Sequence, residues 1–527
     1  MAYELSEAFY AGLSTLPLDD VTDQETFTNL FEDALNAFRG GKVYGSNSAS
    51  TRGDELKRGF NRSINSTGDV ALHSDLAAGI SAVKATRAAT GLGIPQVAYL
   101  TGNSWHRDIA MFKVPAAGMS DYNSSDIVLR YPNNHFVGIS LKKKKAMQDA
   151  SPPLTNAAFS SFLQNDAVSQ LLEEIEEVRY KFFAKIIWDA CHQTGRNSPF
   201  WSEKEKKILL ECGAQGKPQK IYEPTGEFTK TGKPKTEKIE YRLPDIKLQP
   251  NGELSLQDAK RVLKMKVDVW RWSAKDNDWK REEVPLINLK DVDHVRNLNP
   301  RLPSKDNIQT RWRNYVNGQL KGSSTLWTDF VNIMNKDDEI TVGGQRKKFK
   351  DYMADTLLTR ALKLDLKKVL KDAGITPTFD FYLVEGVGKA TNKPLFYKAD
   401  ADLNPIEGET TTDSSLAARE GGKKSGKLLR TGQFVMEPSI GTASVVKAET
   451  LLEKINKWCG TGCTNEVRLE KGSADAASAE FGLYMTSSSG VTIKALNITL
   501  RYGGSFVAHP RFHATMTGDF KKQFKTN

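Results

Sequence analysis

Tyr122-Asn-Ser-Ser-Asp-Ile-Val-Leu-Arg130 and His135-Phe-Val-Gly-Ile-Ser-Leu-Lys142 are the two stretches that decide how this chain folds. Each is apolar enough for a β-strand. Pro132, Asn133 and Asn134 between them are turn formers, because proline fixes φ and asparagine tolerates positive values. With the turn centred on Asn133, antiparallel partners carry numbers that sum to about 266. Asp126 then lies opposite Ser140, with Cβ atoms roughly 5 Å apart. Side chains repeat every second residue along a strand, so Lys142 and Lys144 share the Ser140 face. A carboxylate, a hydroxyl and a lysine on one face suit the joint binding of a divalent cation and a phosphate.

The surroundings supply an order of elements. Val70 to Thr90 reads as a helix, Ile94 to Leu100 as an apolar strand, and Asn156 to His192 as a long helix after the hairpin. Helix, strand, hairpin, helix is an α/β arrangement. Asp126-Ile-Val-Leu-Arg, a hairpin, then Gly138-Ile-Ser-Leu-Lys142 resembles the core of the PD-(D/E)xK nuclease superfamily. The resemblance runs from about Ala71 to Gln193. It implies a restriction-endonuclease-like α/β core and cleavage of DNA, or less readily RNA, with Mg2+ or Mn2+. Asp126 stands at the family's first acid and Lys142 at its lysine. Ser140 occupies the place of the usual second acid, which some members supply from a neighbouring helix. Glu173, Glu174, Glu176 and Glu177 on the following helix, and Asp108 in Trp105-His-Arg-Asp108, are candidates for it, with Asp75 and Glu55 further upstream. The expected site therefore has catalytic Asp126, Lys142 and Ser140, with Asp126, Asp108 and Glu173 as metal ligands. Lys142 would orient the water or steady charge on phosphate oxygens, and Ser140 would hold a metal-bound water without supplying the lost negative charge. His106 is a candidate for proton transfer, although a lone histidine is more often structural.

Composition bounds these expectations. At 527 residues the chain is long enough for two to four domains. The expected division is a helical segment over 1–60, the nuclease-like core over 61–212, a basic Trp/Arg-containing insertion over 213–372 and a β-rich α+β domain over 373–527. Hydrophobic residues make up 39% and no apolar run approaches the length of a membrane helix. Met1-Ala-Tyr-Glu-Leu-Ser-Glu7 lacks the basic and apolar regions of a signal peptide. The net charge of +10 favours a polyanionic partner. The expected location is the cytoplasm, and the style of the chain is similar to that of bacteriophage proteins, for which host cytoplasm or virion would apply. Homo-oligomers are compatible with all of this. Sparse cysteines, Cys191, Cys212, Cys459 and Cys463, suggest a reducing compartment. A zinc site from Cys459, Cys463, His509 and His513 is disfavoured, since histidines four apart on a strand are about 13 Å apart.

Candidate nucleic-acid contacts lie along the chain. Lys143 and Lys144 extend the hairpin. Gly213 to Glu240 reads as a basic loop. Arg271 in Val267–Trp272, and Arg311 and Arg313 in Arg311-Trp-Arg-Asn-Tyr315, interleave with aromatics as base stacking and phosphate contact require. Packing of Trp270 and Trp272 on one strand face, with the arginines outside, is the favoured reading of the first stretch. Leu362 to Lys371 reads as an amphipathic helix with its lysines outward. Lys423 and Lys424 belong to Gly421-Gly-Lys-Lys-Ser-Gly-Lys427, which is no triphosphate loop, because Leu428 replaces the magnesium-binding Ser or Thr. Gly386-Val-Gly-Lys389 fails the same requirement. An amphipathic hairpin also carries Asp, Ser and Lys on a wet face without chemistry. A non-catalytic nucleic-acid-binding or virion structural protein on a degenerate nuclease fold is thus the competing class. A hydrolase with Ser140 as nucleophile needs a histidine within reach, and His135 falls on the opposite face.

Overall fold

The computed structural model describes residues 5–18, 24–45, 70–102, 105–116, 119, 121–146, 151–158, 161, 168–192, 219–241, 248–264, 266–273, 275–285, 295–296, 308–322, 324–400, 405–411, 428–472, 478–501 and 510–524. Helices α1 (Leu5–Ser14) and α2 (Gln24–Arg39) lead into strand β1 (Val43–Tyr44) and helix α3 (Val70–Thr90). Strands β2 (Val97–Leu100), β3 (Ile127–Tyr131) and β4 (His135–Lys144) form an antiparallel meander, with β1 parallel to β2 at its edge. Tyr131 pairs with His135 and Ile127 with Ile139, the register that a turn centred on Asn133 dictates. Asn133 and Asn134 take φ of 60° and 53°, a left-handed region that asparagine enters more readily than most residues.

After β5 (Thr155–Ala158) and α4 (Ser169–His192), the chain makes a long excursion. It contains the hairpin β6 (Gln219–Phe228) and β7 (Pro234–Tyr241), helix α5 (Leu256–Leu263), and a sheet of β8 (Lys266–Ser273), β9 (Asp278–Pro285) and β10 (Val295–Arg296). Helices α6 (Ile308–Gly322) and α7 (Ser324–Met334), the hairpin β11 (Glu339–Val342) and β12 (Gln345–Lys348), and helices α8 (Phe349–Leu362) and α9 (Leu366–Asp372) complete it. Strand β13 (Thr378–Ala399) then returns to the centre and runs parallel to β4, from Thr378 beside His135 to Val387 beside Lys144. Its other edge receives β16 (Ser444–Lys447), and its far half pairs with β14 (Pro405–Thr411) and β15 (Leu428–Ile440). Helix α10 (Ala448–Cys459) follows. An antiparallel second sheet, β17 (Thr464–Gly472), β18 (Ser478–Thr486), β19 (Thr492–Arg501) and β20 (Arg511–Met516), ends in α11 (Gly518–Phe524) and takes β5 onto its edge.

The central sheet is buried on both faces. One face packs Leu100, Ile127, Leu129, Val137, Ile139 and Val384 against α1, α2 and α3. The other packs Tyr99, Val128, Phe136, Phe379, Phe381 and Leu383 into a core shared with α4, α7, α8, α10 and the second sheet. Among the described residues no helix is long and apolar enough to cross a membrane.

The Gly386-Val-Gly388 stretch that superficially suggests phosphate binding has a packing role. A Cβ on Gly386 would lie 2.6 Å from the Ala78 carbonyl oxygen, and one on Gly388 would lie 2.2 Å from the Ala78 nitrogen. These glycines let α3 rest directly on β13. Ser74 Oγ donates to the Gly388 carbonyl at 2.9 Å and the Val387 N–H donates to Ser81 Oγ at 3.0 Å, so the contact is also hydrogen-bonded.

Five expectations are corrected. Thr155 to Ala158 is a strand rather than the start of a helix, because the edge of β20 captures its backbone. Residues 219–241 form a hairpin where a basic loop was expected, turning at Gly232 with φ +75°. Leu362 to Lys371 is two helices broken at Lys363, whose φ of 53° ends α8. The expected boundary near residue 372 cuts through one core, since β13 sits beside β4 and α8 packs against β17. Cys459 and Cys463 form a disulfide across a turn, with Cα atoms 5.0 Å apart, instead of remaining free thiols. That bond also removes both from any zinc site.

Gly388→Ala therefore lowers stability in denaturant unfolding by about 1–3 kcal/mol, the usual cost of overpacking. Gly318→Ala, in α6 with nothing within 4 Å of the added Cβ, raises it by up to about 1 kcal/mol. Equal small effects at both positions would refute the close α3–β13 contact.

Candidate active site

Asp126 immediately precedes β3 and its backbone is held from both sides. Its N–H donates to the Ile139 carbonyl at 2.8 Å, and its carbonyl accepts from Thr101 N–H at 3.1 Å. The side chain therefore points in a fixed direction, toward the face that carries Ser140 and Lys142. Its Oδ2 accepts from the Leu141 N–H at 2.8 Å, from Ser140 Oγ at 3.3 Å and from Lys142 Nζ at 3.3 Å. No hydrogen bond reaches Oδ1 among the described residues. Burial raises the Asp126 pKa, and Lys142, the Leu141 N–H and Ser140 oppose that shift. The side chain keeps 23% exposure, so water tempers the effect.

Beside this group lies a cavity of about 390 Å³ bordered by Trp105, Asn123, Ser124, Lys142, Thr155 and Lys363. Asn123 is built into its wall. Its Oδ1 accepts from the Ser125 N–H at 3.0 Å and Ser125 Oγ at 2.6 Å, and the buried Nδ2 has no partner among the described residues. Gly138 makes room for this turn, since a Cβ there would lie 2.3 Å from Ser125 Oγ.

The other expected residues are placed differently. Asp108 accepts from the Tyr99 hydroxyl at 3.0 Å and sits 3.5 Å from His106 Nδ1. Burial, followed by that hydrogen bond, pushes Tyr99 up to about 12. Glu173 lies exposed on α4, while Glu174, Glu176 and Glu177 pair with Lys336, Arg179 and Lys181. Among the described residues no three His, Cys, Asp or Glu side chains converge as a metal-binding group, so Asp126, Asp108 and Glu173 do not come together as expected. Glu55 lies outside the described residues. His135 binds Asp380 at 2.9 Å and Ser140 binds Asp126, so no histidine activates Ser140 in this arrangement.

The two outer lysines of the hairpin are not free phosphate contacts. Lys143 points to the α3 face and pairs with Asp75. Lys144 is 5% exposed and lies 3.6 Å from buried Glu385, which also pairs with Lys521 at 2.6 Å. The described structure places Arg271 on β8, opposite Lys280 of β9, and Arg311 and Arg313 on α6. Lys423 and Lys424 lie outside the described residues, and so does His509.

Sequence reasoning missed three residues. Glu385 is in register with Lys142 on the neighbouring strand, and its Oε1 has no hydrogen-bond partner among the described residues. Its strand falls in the stretch expected to be a separate β-rich domain. Lys363 was read as part of an outward helical face. Asn123 lay inside the quoted stretch, yet nothing local marks its amide as buried. No protein-family model, curated protein or solved structure matches this chain.

Two consequences are measurable. Lys144→Ala leaves a buried carboxylate short of a partner and costs about 3 kcal/mol of unfolding free energy, whereas exposed Lys145→Ala changes stability by less than about 0.5 kcal/mol. A carboxyl whose folded pKa lies above the unfolded value of about 3.9 loses stability as pH rises through the folded value. The stability of Asp126→Asn relative to the parent therefore increases from pH 4 upward and then levels. A pH-independent difference in thermal unfolding would contradict the raised pKa.

Proposed function

We propose that this chain is a metal-dependent nuclease that hydrolyses phosphodiester bonds of DNA, or alternatively RNA, at the β3–β4 hairpin. The observation that carries the reading is the convergence of Ser140, Leu141 and Lys142 on one oxygen of Asp126, with the other oxygen bare and a cavity alongside. A half-buried carboxylate with one oxygen that accepts no hydrogen bond among the described residues fits Mg2+, which keeps several waters and needs only one or two carboxylates besides substrate phosphates. Asp126 Oδ1 would hold it. When bound, the ion lowers the pKa of a water and polarises the phosphate. The chain's own residues do the rest. The Leu141 N–H and Ser140 Oγ fix the carboxylate. Lys142 is drawn to Asp126 in the resting arrangement and turns its ammonium toward phosphate oxygens as charge develops there. The net charge of +10 favours approach of a polyanion.

A binding-only role has one observation in its favour. Lys142 already neutralises Asp126, and no three-carboxylate group forms among the described residues. A protein that has lost catalysis would look the same at this hairpin.

Cleavage of plasmid and single-stranded DNA with Mg2+, with Mn2+ and with EDTA separates the two readings. The nuclease cuts only with metal. Asp126→Asn and Lys142→Ala each lower the rate at least about 100-fold while the protein stays folded. Salt-sensitive binding without any cutting would overturn catalysis and leave the binding role.

A further inference from the structure

Lys363 is the least expected residue at the site. It stands between α8 and α9 in the left-handed conformation, φ 53° and ψ 37°, which costs a non-glycine residue about 1 kcal/mol or more. Its N–H donates to the Thr359 carbonyl, which also accepts from the Leu364 N–H at 3.1 Å. The side chain is buried, at 3% exposure for the residue, and no ion pair or hydrogen bond reaches its ammonium among the described residues. Its ammonium lies 4.4 Å from the centre of the Tyr122 ring, a cation–π contact. The carboxylates nearby are engaged elsewhere. Asp365 accepts from the Tyr122 hydroxyl, and Asp121 lies 3.7 Å from Lys113. Burial, against the pull of Asp365, lowers the Lys363 pKa to about 8. A buried lysine without a counter-ion is costly and is repaid by an anion that enters beside it.

The same cavity collects complementary groups. The Asn123 amide Nδ2 is an unpartnered buried donor in its wall, Lys142 closes the side toward Asp126, and partly buried Trp105 presents an aromatic surface. Its 390 Å³ is within the range of small-ligand sites, about 300–1,000 Å³. One nucleotide fits such a space and a double helix does not. Aromatic surfaces beside cationic grooves are how single strands are held without reading their sequence.

We infer that this cavity receives one unpaired nucleotide of a single-stranded nucleic acid, with Lys363 and the Asn123 amide binding its phosphate and Trp105 facing its base. The strand rests on the nuclease reading, whereas the anion chemistry stands without it.

The test uses the full chain and calorimetric titration with deoxyadenosine 5′-monophosphate and with deoxyadenosine. The parent binds the nucleotide and binds the nucleoside at least about tenfold more weakly. Lys363→Met, which removes a buried charge, and Asn123→Asp, which keeps the Oδ1 acceptor but places an anion in the wall, each weaken nucleotide binding at least about tenfold and leave thermal stability intact. Unlabelled single-stranded oligonucleotide displaces the nucleotide and blunt duplex does not. Unchanged affinity in both variants overturns the inference, and so does equal affinity for nucleoside and nucleotide. Failure of the oligonucleotide to compete overturns the strand and leaves a free nucleotide as ligand. Metal-dependent cleavage unaffected by Lys363→Met would defeat this inference alone. Nucleotide binding lost in the variants without any cleavage by the parent would support it and defeat the nuclease reading.

Discussion

The parallel pairing of β4 with β13 is the constraint on which the rest depends. A parallel pair needs a long crossover, and here the crossover contains every element from β5 to α9. A parallel pair is also covered on both sides, which explains why β4 and β13 carry apolar residues on both faces. The α3 face is sealed by the two glycines of β13. The opposite face is left to the crossover and to the second sheet, and only there does the hairpin's polar group have room. The position of the site thus follows from the topology: it sits where β4 leaves the protection of one core and the returning chain builds the next.

Electrostatics sharpen this. Four lysines in a row, Lys142 to Lys145, meet four environments because strand alternation and depth separate them. Lys142 engages Asp126 at the edge of a cavity, Lys143 crosses to Asp75 on α3, Lys144 is buried against Glu385, and Lys145 faces water. A run that reads as one solvated basic patch is thus divided between a cavity edge, interlayer pairing, core and solvent. The Lys144–Glu385–Lys521 group ties three distant parts of the chain together, and buried ion pairs of this kind specify an arrangement more than they stabilise it.

The hairpin, its register and its polar face were legible in the sequence, because a three-residue turn and period-two alternation are local. So were the helical start of the chain, α3, β2 and the β-rich character of the residues after 373. The domain division was not legible, since no local signal tells β13 that its partner lies more than two hundred residues earlier. The same non-locality hid Glu385. Local propensity misread Leu362 to Lys371 in a different way. The lysine spacing does fit an exposed helical face, and only the left-handed turn at Lys363 takes that side chain out of it. Asp108 and Glu173 were chosen by type and proximity in sequence, but Tyr99 and His106 claim one and solvent the other.

These errors point in one direction. The residues misjudged as outward, Lys144 and Lys363, are charged groups held inside, and the acid not foreseen, Glu385, is buried too. A chain that forms its site from distant strands can place charge where neighbouring sequence gives no warning, because the compensating partner is supplied by the fold. Lys144 finds such a partner in Glu385. Lys363 has an aromatic ring, an unsatisfied amide across the cavity and no counter-ion of its own among the described residues. Buried Lys144 and Arg179 each face a carboxylate, and the lack of one among the described residues sets Lys363 apart.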